Sequence, residues 1–586
     1  MLIARLHQFL TAPVEKPLDQ KTIVWFSLSL VFAAFYSLWG LAKAFGTTDI
    51  IQKDAREYIF WMQQFVDPTL LPHDLIASYF KSITPQGYAA LYHVMANLGV
   101  SPLTFSKVLP VVLGLVTTGY CFGVCLQLLP IPAAAFITTL LLNQSLWFRF
   151  DLVSATPRAF VYPLFLAFLY YLLCRRWLLV CITIALQGWF YPPFVLLATG
   201  LLWVRVWRWP LFPIRLALKP GQIMWFAVLP SLMALLVSLP YAIASAEFGP
   251  VVTGAIARGM PELWPGGRHP FFDSDPWKFW LIGTHSGFLP PLLPPLIWAG
   301  LGLPFVLRQP SRFPLVRLVR PDPILMQIVF ISISFFFAAH ALLLKLFFPT
   351  RYTGHTLRIV MAIAGGMTLL FVLDAALHFF AGLAKTHPQR GRWGGLVVTV
   401  AFGGLLLLST NVQKPFPVTD YKVGVETALY AFLQTQPKES IIASFSAEVD
   451  NLPTFAQRSI LVGEEYALPF HLGYYRPLRQ RIVDLLQAQY SQDLASVQRF
   501  IQTYNISFWL LDRDTFTPDY LRRKHWLQSF QPAFSEAVKR LETGAVPALV
   551  SLTNRCSVLE DVHLILLDAT CIAHVSPATK REESKP

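Results

Sequence analysis

Asp49 and Asp54 follow directly on an apolar run, and Asp151 sits between Phe150 and Leu152 at the end of another. A charge beside a membrane core is costly, so such an acid needs a partner or a task. A carboxylate held at a membrane face can take the proton of a hydroxyl as that hydroxyl attacks. Asp54 has a second reading of equal weight, as the acid that opens a helix over 54–65 and meets its dipole. In that segment Tyr58, Trp61, Met62 and Phe65 recur at helical spacing. This predicts an amphipathic helix lying on the membrane surface. Asp151 reads either as the ion-pair partner of Arg149 and Arg158 or as a second carboxylate for metal binding or substrate orientation. Arg351, Tyr352, His355 and Arg358 cluster between two apolar runs. A guanidinium grips phosphate through two parallel hydrogen bonds, whereas Arg and Tyr also serve as plain interfacial anchors. His269 and His285 read as structural histidines, and Glu464 and Glu465 as solvated or capping acids.

The elements that must position these groups are membrane spans. Of 586 residues, 55% are hydrophobic and only 14% charged, against about 25% charged in an ordinary soluble protein. A soluble enzyme and a disordered chain are both excluded. Apolar runs long enough for spanning helices, or nearly so, cover 22–45, 104–129, 131–149, 158–174, 176–190, 192–207, 223–247, 286–307, 323–348, 357–382 and 393–410. The short pair 176–190 and 192–207 hinges on Tyr191-Pro192-Pro193, and one long helix through the prolines is the alternative. With the pair split, sixteen basic residues fall in the inward-facing segments: Arg5, Lys16, Lys21; Arg175, Arg176; Arg205, Arg208, Arg215, Lys219; Arg308, Arg312, Arg317, Arg320; Lys385, Arg390, Arg392. The positive-inside rule therefore favours eleven spans, with the N-terminus inside and the C-terminus outside. It also accounts for the net charge of +14 without nucleic acid, since no basic patch interleaves with aromatics.

Three regions follow: a cytoplasmic segment 1–21, a transmembrane domain 22–410 with a long first outer loop at 46–103, and a tail 411–586. In the tail, charges return and apolar runs shorten. Strands are expected at 441–445, 507–512, 548–552 and 562–567, and helices at 423–434, 480–489, 492–504 and 518–530, which together describe a small α/β domain. Outside the cytoplasm Cys556 and Cys571 can pair as a disulfide or remain two thiols. The chain has no Walker-type phosphate loop, G-x-S-x-G, H-E-x-x-H or dinucleotide fingerprint. Charge inside the spans is scarce, with Asp374 an exception, and that counts against an ion-coupled transporter.

In plan the chain resembles the GT-C superfamily of polytopic glycosyltransferases. Three features carry the likeness. The first span leads into an outer loop with Thr48-Asp49 and Lys53-Asp54-Ala55-Arg56-Glu57. A second outer-loop acid, Asp151, precedes Thr156-Pro157-Arg158. The spans end in an extracytoplasmic domain. The tail runs starting at Val449-Asp450-Asn451 and at Glu465 are similar to those of uncharacterised bacterial, including cyanobacterial, membrane proteins. The resemblance implies an α-helical integral protein of the bacterial inner membrane. It also implies a polyprenyl-phosphate-linked sugar as donor and a glycan, lipid or protein as acceptor. The first-loop acid, as general base or metal-associated carboxylate, maps to Asp54, with Asp49 next and Asp151 as the second-loop acid. Arg351 maps to the arginine that holds the lipid phosphate, with Tyr352, His355 and Arg158 as neighbours. A divalent metal ion is the one cofactor this implies. Two departures stand out: the first loop has no adjacent acid pair, and the tail lacks the Trp-Trp-Asp motif of oligosaccharyltransferases. A flippase for lipid-linked sugars, or a non-catalytic envelope assembly protein, fits the same plan without a catalytic acid.

Overall fold

The computed structural model describes residues 2–14, 19–207, 216, 218–412 and 415–575. Lys16, Arg208 and Arg215 of the basic segments lie outside the described residues. A short helix α1 (Leu2–Thr11) precedes α2 (Gln20–Ala44), whose N-cap Asp19 accepts from the Lys21 N–H. The outer loop then carries strand β1 (Ile50–Gln52) and helices α3 (Arg56–Met62), α4 (Leu75–Ile83) and α5 (Gln86–Asn97). Helices α6 (Pro102–Leu128), α7 (Pro132–Trp147), α8 (Val161–Leu173), α9 (Trp177–Phe190), α10 (Pro193–Val206), α11 (Leu229–Ser245), α12 (Ile324–Ala341), α13 (Thr356–Thr386) and α14 (Pro388–Leu408) make up the bundle. Among the described residues, six helical stretches are long and apolar enough to cross a membrane, and there are four shorter apolar helices.

Helix α7 is mostly apolar with no polar face, and every one of its residues is buried, as expected for a helix surrounded by others. It packs against α2, α6 and α13. A Cβ on Gly366 of α13 would meet the Thr138 nitrogen at 2.7 Å, so glycine is what lets these two backbones approach. Polar side chains tie the bundle further: Thr139 donates to Ser29 at 3.0 Å and Asn143 to Thr118 at 2.9 Å.

The chain breaks between α9 and α10 at Tyr191-Pro192, giving two helices in place of one. The 286–307 run, expected as a span, forms helix only over Pro295–Leu307. The reason is its prolines: Pro290, Pro291, Pro294 and Pro295 remove amide donors and block helix upstream. The expected surface helix at 54–65 is also corrected. Trp61 and Met62 are 2% and 0% exposed, because α3 packs on α4 and on the tail turn Leu452–Phe455. Trp61 and Met62 thus face protein, while Tyr58 and Phe65 are half-buried.

The tail holds a five-stranded sheet in the order β4-β3-β5-β7-β6. Its strands are β3 (Ile441–Ala443), β4 (Ser459–Ile460), β5 (Phe508–Asp512), β6 (Ser557–Glu560) and β7 (Leu564–Asp568). β3 runs parallel to β4 and β5, and β7 runs antiparallel to β5 and β6. Residues 548–552, expected as a strand, form a 3₁₀ turn. Pro547 precedes the turn, and Leu549 and Leu552, three apart, are the buried pair. Cys556 and Cys571 form a disulfide at the base of the β6–β7 hairpin. One further strand, β2 (Tyr421–Val423), leaves the tail to pair antiparallel with β1, placing Ile50 opposite Val423.

Candidate active site

The β1–β2 pairing fixes the start of the outer loop. Lys53 N–H then donates to Asp420 O at 3.1 Å. The Gln52 side-chain oxygen accepts from the amides of Asp54 and Ala55 at 2.8 and 3.1 Å. This turn sets Asp54 one residue before Ala55, the N-cap of α3, and no side chain caps that helix. The Asp54 carboxylate instead pairs with Arg158, and a quarter of the Asp54 side chain stays accessible.

Asp151 arrives from a second loop. The Ser154 hydroxyl donates to Asp151 O at 2.9 Å, and Ala155 takes a φ of 52°. That left-handed residue turns the chain sharply, at a cost of about 1 kcal/mol, and the 3₁₀ turn Pro157–Phe160 brings Arg158 back over Asp151. Arg158 Nε lies 3.1 Å from Asp151 Oδ1, so one guanidinium bridges Asp54 and Asp151. Arg358 Nη1, at the start of α13, is 3.0 Å from Asp151 Oδ2. The same nitrogen donates to the Tyr162 hydroxyl, which is 2.9 Å from His355 Nδ1. Burial pushes the Asp151 carboxyl up, yet Arg158, Arg149, His355 and Arg358 together hold it well below the usual carboxylate range.

Glu57 stands three residues beyond Asp54, on the same side of the helix start. Burial, then the charges of Glu465 and Asp54, push it up to about 8. Two acids one turn apart are thereby separated: Asp54 is ion-paired, and Glu57 holds its proton at neutral pH. Beyond them the tail grips the loop. Arg56 donates to Asn451 Oδ1 at 2.9 Å and to Glu465 Oε2 at 3.0 Å. Arg268, from the loop after α11, reaches Glu465 Oε1 at 3.1 Å. Asp450 accepts from the Glu465 amide, and burial pushes its carboxyl up to about 7. Glu465, read from the sequence as solvated or capping, is 3% exposed and holds two arginines.

Arg351 is half-buried on the turn Thr350–Gly354 and has no carboxylate partner among the described residues. Its charge is felt at two neutral histidines. Burial holds His285 down at about 4, assisted by Arg351, Arg268 and Arg158. Burial likewise holds His269 well below the usual imidazole range, with Arg268, His285 and Arg351 adding to it. Three arginines from three loops thus surround one pair of uncharged imidazoles.

The structure therefore brings together Asp54, Asp151, Arg158, Arg358 and His355, with Arg351 beside them. It does not bring in Asp49, which lies at the other end of β1, roughly 10 Å away along the strand, with its carboxylate accepting from Thr48. Tyr352 is buried, with its hydroxyl donating to Leu346 O at 2.7 Å, so it has no free donor for a phosphate. Glu57, Arg56, Tyr162 and Asp450 were not singled out. The spacings Asp54–Glu57 and Arg158–Tyr162, three and four residues, were the available signal. An apolar groove of about 550 Å³ lined by Thr22, Phe26, Gly123 and Tyr170 lies at the far ends of α2 and α6 and does not touch this cluster.

Two carboxylates would suit a hard divalent ion. Here they do not fit one: the place between them is filled by the Arg158 guanidinium, and both Asp151 oxygens are engaged by arginine.

No family model matches the sequence, and no match is found among curated proteins. Solved structures do match. The oligosaccharyltransferase of Archaeoglobus fulgidus, tethered to an acceptor peptide containing the NVT sequon, aligns over 87% of this chain and 72% of its own, with a TM-score of 0.52 at 13% identity. The oligosaccharyltransferase AglB from Archaeoglobus fulgidus, in complex with an inhibitory peptide and a dolichol-phosphate, aligns over 88% of this chain and 73% of its own, with a TM-score of 0.51 at 12% identity. The chain has a GT-C-type fold. ArnT from Cupriavidus metallidurans also aligns, over 94% of this chain and 99% of its own, at a TM-score of 0.44 and 12% identity. The expected polytopic helical domain with a C-terminal sheet-bearing region is the architecture observed.

Proposed function

We propose that this GT-C-fold protein is a membrane glycosyltransferase that uses a polyprenyl-phosphate-linked sugar at the outer face of a bacterial plasma membrane, with its N-terminus cytoplasmic. The observation that carries the reading is the convergence of Asp54, Asp151, Arg158 and Arg358 from three separate segments onto one partly accessible cluster. An acceptor hydroxyl docks at the Asp54 oxygen facing away from Arg158. As the acceptor oxygen bonds to the anomeric carbon, its proton passes to the Asp54 carboxylate. The bond from that carbon to the phosphate oxygen breaks, and polyprenyl phosphate leaves with the electron pair. Arg351, which has no carboxylate of its own, meets the growing phosphate charge. Arg158 orients Asp54, while Asp151 keeps Arg158 in place. One base suffices for an inverting displacement, and the dolichol-phosphate bound by the archaeal relative supports a lipid-phosphate donor here.

The test compares cells carrying wild type, Asp54→Asn or a deletion at matched protein levels, with polyprenyl-linked sugars quantified by mass spectrometry. Asp54→Asn is expected to reproduce the deletion and to accumulate one polyprenyl-linked sugar, whose mass identifies the donor. If Asp54→Asn behaves as wild type while the deletion does not, the base assignment is wrong and a flippase or assembly role takes its place.

A further inference from the structure

We infer that His7, Asp374 and His378 form a binding site for a zinc-like divalent transition metal, far from the Asp54 cluster. Asp374 lies on α13 sixteen residues beyond Arg358, or about 24 Å further along the helix axis. His378 follows one turn later on the same face. His7 comes from α1, which packs on α13, α14 and α7. His7 Nε2 is 2.7 Å and His378 Nε2 is 3.6 Å from the same oxygen, Asp374 Oδ1. The two imidazoles meet edge to face with centroids 4.5 Å apart. All three ligand atoms lie within 4.8 Å of one another. Ligand atoms on a tetrahedral zinc at ordinary bond lengths stand about 3.4 Å apart, so small side-chain rotations close the site.

A second observation points to a cation. Asp374 is fully buried, and its Oδ2 has no hydrogen-bond partner among the described residues. A carboxylate oxygen removed from water without a partner is costly, and an ion held against the carboxylate offsets that cost. Two imidazoles and one carboxylate suit zinc, cobalt or nickel, whereas calcium and magnesium prefer an all-oxygen shell. The His378 side chain is half exposed, which gives the ion a way in and leaves a fourth position for water. The consequence is mechanical: a bound ion pins α1 to α13.

The test uses the full-length chain, purified in detergent through a tag without histidine, stripped with chelator and titrated with Zn²⁺. One Zn²⁺ per chain is expected. His7→Ala and His378→Gln should each weaken binding by at least about tenfold, the scale seen even for groups behind the ligands. His378 is exposed, so its variant folds even if Asp374→Asn does not. Zn²⁺ should also slow amide hydrogen exchange in residues 2–11 of wild type and leave His378→Gln unchanged. Equal Zn²⁺ binding by wild type and the double variant His7→Ala/His378→Ala overturns the proposal, as does no binding by wild type. Binding that survives in the double variant assigns the ion to another group, such as the free thiols.

Discussion

Glu57 allows a test that needs no substrate. Its carboxyl is pushed from 4.5 up to about 8, first by burial and then by Glu465 and Asp54. A group whose folded pKa is raised gives stability that is fully present below its unfolded value and is lost as pH rises through the folded one. The window is therefore about pH 4.5 to 8. At about 1.4 kcal/mol per unit, the full shift corresponds to roughly 4–5 kcal/mol. Part of the Glu57 side chain reaches solvent, and screening there reduces the figure to about 2 kcal/mol. Glu57→Gln keeps the shape and removes the titration. Relative to wild type it should be neutral near pH 5 and stabilised above pH 8, by about 2 °C in apparent Tm for a chain of this size. The assay is thermal unfolding of the detergent-purified protein from pH 5 to pH 9. A Glu57→Gln curve parallel to wild type across that range would refute the argument that this acid is forced neutral beside Asp54.

Other outcomes follow from the same geometry. Asp151→Asn leaves Arg158 and Arg358 buried against a neutral amide and should destabilise the chain by about 3–5 kcal/mol, seen as a lower apparent Tm. Asp54→Asn, at a partly exposed carboxylate, should cost about 1 kcal/mol or less yet reduce transfer by about 100-fold or more, so stability and activity separate between the two acids. Arg351→Ala removes no ion pair and should leave Tm unchanged while lowering turnover and weakening donor binding, measured by steady-state kinetics. Cys556→Ser opens a link between residues fifteen apart and should lower tail stability by about 3 kcal/mol, read as earlier proteolysis of the tail.

The helical plan was legible because span length and apolar content can be read residue by residue. So were Asp54, Asp151 and Arg158, since an acid or arginine at the end of an apolar run stands out. Proline decided what hydropathy could not. It shortened 286–307, and at 548–552 a Pro547 start with burial three residues apart gave a turn where apolar content had suggested a strand. The amphipathic stripe of α3 was read correctly as a stripe, but Trp61 and Met62 in it pack on protein, because periodicity does not say whether lipid or protein covers a face. The tail clamp was invisible for a related reason. Arg56, Arg268 and Glu465 are separated by hundreds of residues, and each looks like a surface charge until the tail folds over the loop. Asp49 was over-weighted because closeness in sequence hid a strand that carries it away.

That clamp bears on how the proposed base, Asp54, is held. Asp54 is fixed by a two-strand pairing with the tail on one side and by Arg56, two residues on, gripping Asn451 and Glu465 on the other. The loop therefore gains its shape from tertiary contacts with the tail. Charge points the same way. Around Asp151, the guanidiniums of Arg149, Arg158 and Arg358 meet two carboxylates, Asp54 and Asp151, with Glu57 neutral and the charge of Arg351 felt at the neighbouring His355. The surplus of about two positive charges exceeds what a sugar-phosphate diester carries and approaches that of a departing phosphate monoester near neutral pH, whose second pKa is about 6. On the proposed reading the cluster is thus more complementary to the leaving group than to the donor, which is the direction in which binding lowers a barrier.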